Sequence, residues 1–285
     1  MTYQECYQKG RSTLEQAGIE EAALDARLLL EFVCGTNRND LLVHGDRMVE
    51  TDKETVYYDL IERRSSRIPL QHLTGVQEFM GLEFAVNEHV LIPRQDTEIL
   101  VEEVLKELHD GMRILDMCTG SGCILLSLLH YSNDCQGVGV DISQEALQVA
   151  EQNAQRILGE KGRLQADSLQ FIQSNLFERV TGKYEFIVSN PPYIRSEVIA
   201  TLMPEVKEHE PRLALDGTED GLFFYRKIVE ESKSYLLHGG MLYFEIGHDQ
   251  AAEVSGLLKE AGFLEINVVK DLAGLDRVVY GTYLG

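Results

Sequence analysis

An α/β fold on a mostly parallel sheet, helices on both faces and a small helical domain in front, is what this sequence predicts. Three observations point to it. From Arg113 onward, short apolar runs alternate with stretches of helical periodicity, the rhythm of βαβ units. A glycine-bearing loop, Cys118-Thr119-Gly120-Ser121-Gly122, follows the first of these runs and opens a helix. Ahead of them, over residues 1–73, apolar residues recur at three and four, as in amphipathic helices.

Residues 1–73 read as a helical recognition domain. Leu14, Ala17 and Gly18 lead into Ala22 to Val33, which has helical spacing and a stop at Gly35. Asp52 is placed to cap a helix through Val56, Leu60 and Ile61 that ends in Arg63-Arg64-Ser65-Ser66-Arg67 before Pro69. The three arginines read as a solvated helix end, where cations meet the negative pole of the helix dipole. Residues 74–92 read as a β-hairpin linker: Glu78 to Val86 partly alternates, Asn87-Glu88 turns, and His89-Val90-Leu91-Ile92 returns.

Residues 93–285 form the α/β domain. Pro93-Arg94-Gln95-Asp96-Thr97-Glu98 opens a helix through Ile99, Leu100, Val101, Val104 and Leu105, with Asp96 or Thr97 as its cap. Strands are expected at 113–117, 136–140, 169–173, 184–189, 241–246, 266–269 and 277–284. Helices are expected from Cys123, over 145–158 behind a Ser143 cap, and over 221–237 and 251–261.

Bulk properties narrow the function classes. The formal charge of −21 disfavours tight, sequence-independent binding to a phosphate backbone. No apolar run approaches the roughly 18 residues of a membrane span, and the N-terminus lacks the order of a signal peptide. Five cysteines without a CxxC pair read as reduced thiols, which places the protein in the cytoplasm and gives no metal site.

Chemistry concentrates at Ser189-Asn190-Pro191-Pro192-Tyr193. Two prolines in a row cannot continue a central strand, so the chain leaves the sheet at Asn190. A main-chain carbonyl there and Asn190 Oδ1 make two fixed acceptors beside an aromatic ring, a pocket suited to a flat group bearing NH₂. A plain strand-ending turn is the bland alternative. Asp141, ending the second strand, can accept from two ribose hydroxyls, so loop and carboxylate together suit an adenosine-containing cofactor. A dinucleotide loop would want glycine where Leu125 stands, and no Walker lysine follows.

The order Asp116-Met117-Cys118-Thr119-Gly120-Ser121-Gly122 resembles the first motif of the class I S-adenosylmethionine-dependent methyltransferases, with Cys118 where the usual pattern has glycine. Cysteine is small enough for close approach, but it disfavours a positive φ. Asn190-Pro191-Pro192-Tyr193 is similar to the motif of methyltransferases acting on planar nitrogens: adenine N6, guanine N2 or glutamine. Ile92 to Glu98, Glu210 to Gly217, Asp220-Gly221-Leu222 and Phe244-Glu245-Ile246-Gly247, with the helical domain and hairpin, resemble the peptide chain release factor glutamine methyltransferases (the PrmC/HemK family) over essentially the whole chain.

The resemblance implies a Rossmann-like class I methyltransferase domain on a mostly parallel seven-stranded sheet. It implies methylation of the glutamine in the Gly-Gly-Gln loop of class 1 release factors by a monomer, with no membrane and no nucleic-acid substrate; a nucleic-acid amino methyltransferase is the rival. Asn190 and Pro191 would accept the amide hydrogens, and Pro192 and Tyr193 would complete the glutamine pocket, with Arg94 and Glu245 at its rim. For S-adenosylmethionine it implies Asp116, Cys118, Thr119, Gly120, Ser121 and Gly122 at the methionine part and Asp141 on the ribose. Ile142, Asn175 and Leu176 would face the adenine, with Asn190 close to the reacting end. The family commonly has Asp-Trp at 175–176, so this chain loses one charge and one stacking ring there.

Overall fold

The computed structural model describes residues 1–159 and 168–285. The chain divides into two compact units, one of Met1–Val76 with Met203–His209, the other of Gln77–Leu202 with Glu210–Gly285.

The first unit is helical: α1 (Tyr3–Gln16), α2 (Ala22–Cys34), α3 (Arg38–Val43), α4 (Thr51–Ser65) and α5 (Leu70–Thr74), joined by the short helix Pro204–Lys207. Thr2 and Glu5 close a capping box on α1. Leu14, Leu29, Leu30, Tyr57, Leu60 and Ile61 form its core. Asp52 is not the cap of α4; it lies in the first turn behind Glu50, where it favours the helix dipole without a capping bond. The reading of a solvated arginine cluster is overturned at Arg64, which is 7% exposed. Its Nε donates to Asp25 Oδ2 at 2.7 Å and its Nη1 to Glu205 Oε1 at 3.2 Å. Arg67 Nη1 reaches the same Glu205 oxygen at 3.2 Å. These pairs draw Met203–His209, expected in the α/β domain, into the helical unit.

β1 (Val76–Phe79), in the second unit from Gln77 on, and β2 (Leu82–Ala85) form the hairpin. Its turn is Met80-Gly81 rather than Asn87-Glu88, with φ of 52° and 67°, both left-handed as a two-residue type I′ turn requires. Residues 89–92 are not strand. Then come α6 (Gln95–Glu107), β3 (Arg113–Met117), α7 (Cys123–Tyr131), β4 (Gln136–Asp141), α8 (Gln144–Ala154), β5 (Leu169–Gln173), β6 (Tyr184–Ser189), β7 (Leu236–Glu245), β8 (Leu264–Lys270) and β9 (Asp276–Tyr283). Helices Phe223–Ser232 and Ala251–Glu260 flank β7 in sequence. Ser143 caps α8, its hydroxyl accepting from Ala146 N at 3.1 Å.

The sheet order is β5-β4-β3-β6-β7-β9-β8. The first four neighbouring pairs are parallel, while β9 runs antiparallel to both β7 and β8. Side chains alternate between two cores, as the two-residue period of a strand demands. Ile114, Phe186, Val188 and Tyr243 pack with α6 and α7. Leu115, Ile187, Leu242 and Phe244 pack with Tyr225, Ile228, Val254 and Leu258 of the flanking helices. With both faces covered, ligand access is left to the strand ends. The chain winds one way from β3 to β4 and the other way to β6, which makes the carboxyl ends of these strands the crevice.

Candidate active site

Those carboxyl ends lie level. Met117 pairs with Val140 on one side and Ser189 on the other, and Asp141 pairs with Gln173. The loops that follow enclose a cavity of ≈ 330 Å³, in the range of small-molecule sites.

The loop after β3 lines it with Cys118, Thr119, Gly120 and Ser121. Cys118 takes φ = 64°, so the expectation set by its side chain is overturned. Surrounding bonds over-determine the loop and hold a conformation that costs a non-glycine residue about 1–3 kcal/mol. Thr119 N donates to Val140 O, and Gly122 N to Thr119 O, both at 2.9 Å. Asn153 Nδ2, from α8, donates to Ser121 O at 2.9 Å. Asp116 lies behind the loop, fully buried, its Oδ2 accepting from Thr119 Oγ1 at 2.6 Å. Burial pushes its carboxyl up to about 7 against the pull of that hydroxyl.

Asp141 sits on the cavity wall with Oδ2 accepting from Gly120 N at 2.9 Å and Oδ1 from Ser143 N at 3.0 Å. It therefore stabilises the loop and still has lone pairs for a ligand. Burial raises its carboxyl above the ordinary range, opposed by those N–H groups. Ile142, Asn175 and Leu176 continue the wall. Asn175 Nδ2 donates to Glu178 Oε1 at 2.7 Å, which leaves its Oδ1 as an acceptor.

Across the cavity stand Asn190 and Pro192. Ser189 Oγ donates to Met117 O at 2.6 Å and seals the strand end. Beyond the prolines, Ile194 N donates to Leu215 O at 3.0 Å and Gly217 N to Ile194 O at 2.8 Å. A Cβ on Gly217 would lie 2.6 Å from Tyr193 Cα, so only glycine lets this segment brace the turn. Asn190 Nδ2 faces Thr97 Oγ1 at 3.5 Å, and no described residue donates to Asn190 Oδ1 or to the Pro191 carbonyl. Tyr193 is half-buried; its hydroxyl donates to Glu245 Oε1 at 3.4 Å.

Arg94 lines the cavity, paired with Glu210, whose other oxygen accepts from Ile92 N at 3.3 Å. Glu245 is not at the rim. It is 2% exposed, under Tyr193 and Thr97, and burial lifts its carboxyl to about 7 while Thr97, Arg277 and Tyr193 oppose the rise. Gly122, Pro191 and Tyr193, like Asp116 and Glu245, stand behind the cavity wall.

Sequence reasoning missed several participants. Thr97 looked like a helix cap, but Arg94 occupies that position and Thr97 is buried in the first turn. Asn153 carries no local signal on a helix face. Leu213 and Phe223 line the cavity yet are 54% and 40% exposed, large apolar side chains held at an opening.

Comparison with known proteins adds identity to this geometry. Residues 5–75 match the model described as PrmC N-terminal domain, and residues 94–209 match Methyltransferase small domain. A release factor glutamine methyltransferase of Clostridium acetobutylicum is 41% identical over 95% of each chain. One from Caulobacter vibrioides is 40% identical over 99% of this chain and 96% of its own. Among solved structures, a methyltransferase from Pyrococcus furiosus superposes with a TM-score of 0.53 at 17% identity, covering 79% of this chain and 99% of its own.

Proposed function

Because the chain belongs to the release factor glutamine methyltransferase family, we infer that it methylates the side-chain amide nitrogen of the glutamine in the Gly-Gly-Gln loop of class 1 peptide chain release factors. The observation that carries this reading is the Asn190 side chain: its nitrogen is engaged by Thr97 and its oxygen is left free. A flat NH₂ group needs such an acceptor.

The donor set fits S-adenosylmethionine. A Cβ at Gly120 would meet nothing within 4 Å, so the loop backbone faces open space. Asp141 offers a carboxylate to a ribose, and Ile142, Leu213 and Phe223 gather exposed apolar surface for a flat base, with Asn175 Oδ1 as an acceptor. The bound cofactor supplies a methyl group already activated on a sulfonium. Loss of the ribose acceptor in Asp141→Ala should weaken cofactor binding by about 10²-fold, from two hydrogen bonds to a charged group. Titration calorimetry on the folded variant measures this, and an unchanged affinity removes the ribose role.

An amide nitrogen is a poor nucleophile because its lone pair is delocalised into the carbonyl. Asp116 and Glu245 lie behind the wall, so positioning supplies most of the rate. Asn190 Oδ1, on the cavity wall, accepts an amide hydrogen, which aims the nitrogen and favours electron density on it as the bond forms. Pro192 and Tyr193 back the glutamine, the tyrosine held by Glu245. Arg94, fixed by Glu210, guards the entrance.

Leu42, Val43 and Met48 give the helical unit exposed apolar surface for the protein substrate. The same reading has the enzyme act as a monomer in the cytoplasm; no described helix is long and apolar enough to cross a membrane. Incubation with methyl-labelled cofactor and either release factor or nucleic acid tests the whole. Label should appear on the Gly-Gly-Gln glutamine by peptide mass spectrometry. Label in DNA or RNA with none in release factor would sink the reading.

A further inference from the structure

The two residues ahead of the acceptor glutamine in a Gly-Gly-Gln loop carry no side chains. Whatever selects that loop must read its main chain. We propose that Arg94 is a specificity-determining residue for release factor: Glu210 holds its guanidinium at the cavity mouth, and the donors left over bind the main-chain carbonyls of the two glycines. This rests on the amide-transfer reading above and deepens it, by saying how the same site takes its substrate.

Glu210 anchors the arrangement. Its side chain is 2% exposed, and a carboxylate so buried has to be paired. One oxygen takes Arg94 Nη2, and the other takes Ile92 N at 3.3 Å. Glu210 thus ties two wall segments together. Pro93 and Arg94 follow Ile92 on one, and Pro211, Leu213 and Ala214 follow Glu210 on the other; all five line the cavity. Both segments are fixed to the Asn190 turn. Thr97 N donates to Arg94 O at 3.1 Å, and Thr97 Oγ1 faces Asn190 Nδ2 at 3.5 Å. On the other side, Ile194 N donates to Leu215 O at 3.0 Å. Arg94 is therefore placed relative to the acceptor that takes the glutamine amide.

Only part of the guanidinium is used. The Arg94 side chain is 40% exposed, and no described residue accepts from its Nε or Nη1. A guanidinium has five donors and no acceptor, so beyond Glu210 it needs oxygen. The ion pair is neutral as a whole, which favours a neutral carbonyl over an anion such as a phosphate. Glycine suits the other side of the contact, because a main chain without Cβ approaches the planar fork closely.

The test uses the full chain, intact release factor and methyl-labelled cofactor. Arg94→Ala should lower kcat/KM for release factor by about 10- to 100-fold, the scale of a hydrogen bond from a charged group. A fall smaller than about fivefold overturns the proposal. Kd for cofactor should stay within about threefold; a larger loss would place Arg94 on the cofactor and overturn the proposal. Release factors with alanine in place of either glycine complete a double-mutant cycle. With the parent enzyme each should lose about tenfold in kcat/KM, and with Arg94→Ala the further loss should shrink to within about threefold, since both changes remove one contact. Losses that multiply in full overturn the reading of the main chain.

Glu210→Gln tests the positioning role. Alone it should cost about as much as Arg94→Ala, and combined with Arg94→Ala no more than about threefold beyond it. A purely structural Glu210 would lower the melting temperature and add its loss in full to that of Arg94→Ala, and that result overturns the role. Should Arg94→Ala not fold, because it strands the buried Glu210 charge, Arg94→Lys decides, since it keeps the charge without the fork. A kcat/KM at least about fivefold down supports the proposal, and a smaller loss overturns it. A parent chain that leaves release factor unlabelled overturns the substrate reading itself, whereas an active parent unaffected by Arg94→Ala overturns this step alone.

Discussion

Replacing Asn190 with alanine is expected to lower methyl transfer to release factor by about 10²- to 10³-fold, the range for removing one preorganised polar group at a reacting centre. Cofactor affinity should move by no more than about fivefold, because the loop after β3 and Asp141 keep their own bonds without it. The asymmetry follows from the nucleophile. An amide nitrogen gains density only as its hydrogens are drawn toward acceptors, and that gain grows as the methyl bond forms. Asn190 Oδ1 thus acts mainly in the transition state and shows in kcat. Neither flank can replace it. Ser189 Oγ is occupied by Met117 O, and Pro191 offers only its main-chain carbonyl. Single-turnover transfer of labelled methyl, alongside calorimetric titration of cofactor, separates the two quantities. A variant with a rate within threefold of the parent would rule out the clamp.

The legibility of this site varies with how local its cause is. β6 was readable because an apolar run ends in two prolines, and chain chemistry alone stops it there. The loop after β3 and Asp141 were readable because a phosphate- or ribose-facing turn draws on few residue types in a fixed order. Thr97 was not, because its partner Asn190 comes from a distant strand end and its own neighbourhood looks like any helix start. The hairpin turn was misplaced for a related reason: Met80 holds a left-handed φ that its side chain does not advertise, while Asn87-Glu88 looks like a turn without forming the hairpin. Cys118 shows the same override, with local preference yielding to the bonds that fix its loop. The exposed wall residues Leu213 and Phe223 become meaningful only when the strand order brings their segments to the cavity.

Arg64 is the largest case of long-range pairing hidden behind local pattern, and it carries the strongest stability prediction. Arg64→Ala should destabilise the helical unit by about 3–5 kcal/mol, because truncating one member of a buried charge cluster strands the others. Asp25 would lose its 2.7 Å donor outright, and of its two arginines Glu205 would keep Arg67. Calorimetry of the full chain should show the unit's transition fall by at least about 10 °C; a fall below about 3 °C would contradict the cluster's role. The acid dependence gives a second check. Burial raises the Glu205 carboxyl, but its backbone bond, Arg67 and Arg64 outweigh burial and hold it below the ordinary value of 4.5. A depressed carboxyl contributes stability above its unfolded value and loses it as pH falls through the folded one. Removing Arg64 lifts the folded value, so acid costs the variant less than the parent, and the gap between them should narrow below about pH 4. Replacing Asp25, Arg64 and Glu205 together by apolar residues of similar volume should instead be close to neutral, which would separate the penalty of stranded charge from any net worth of the cluster.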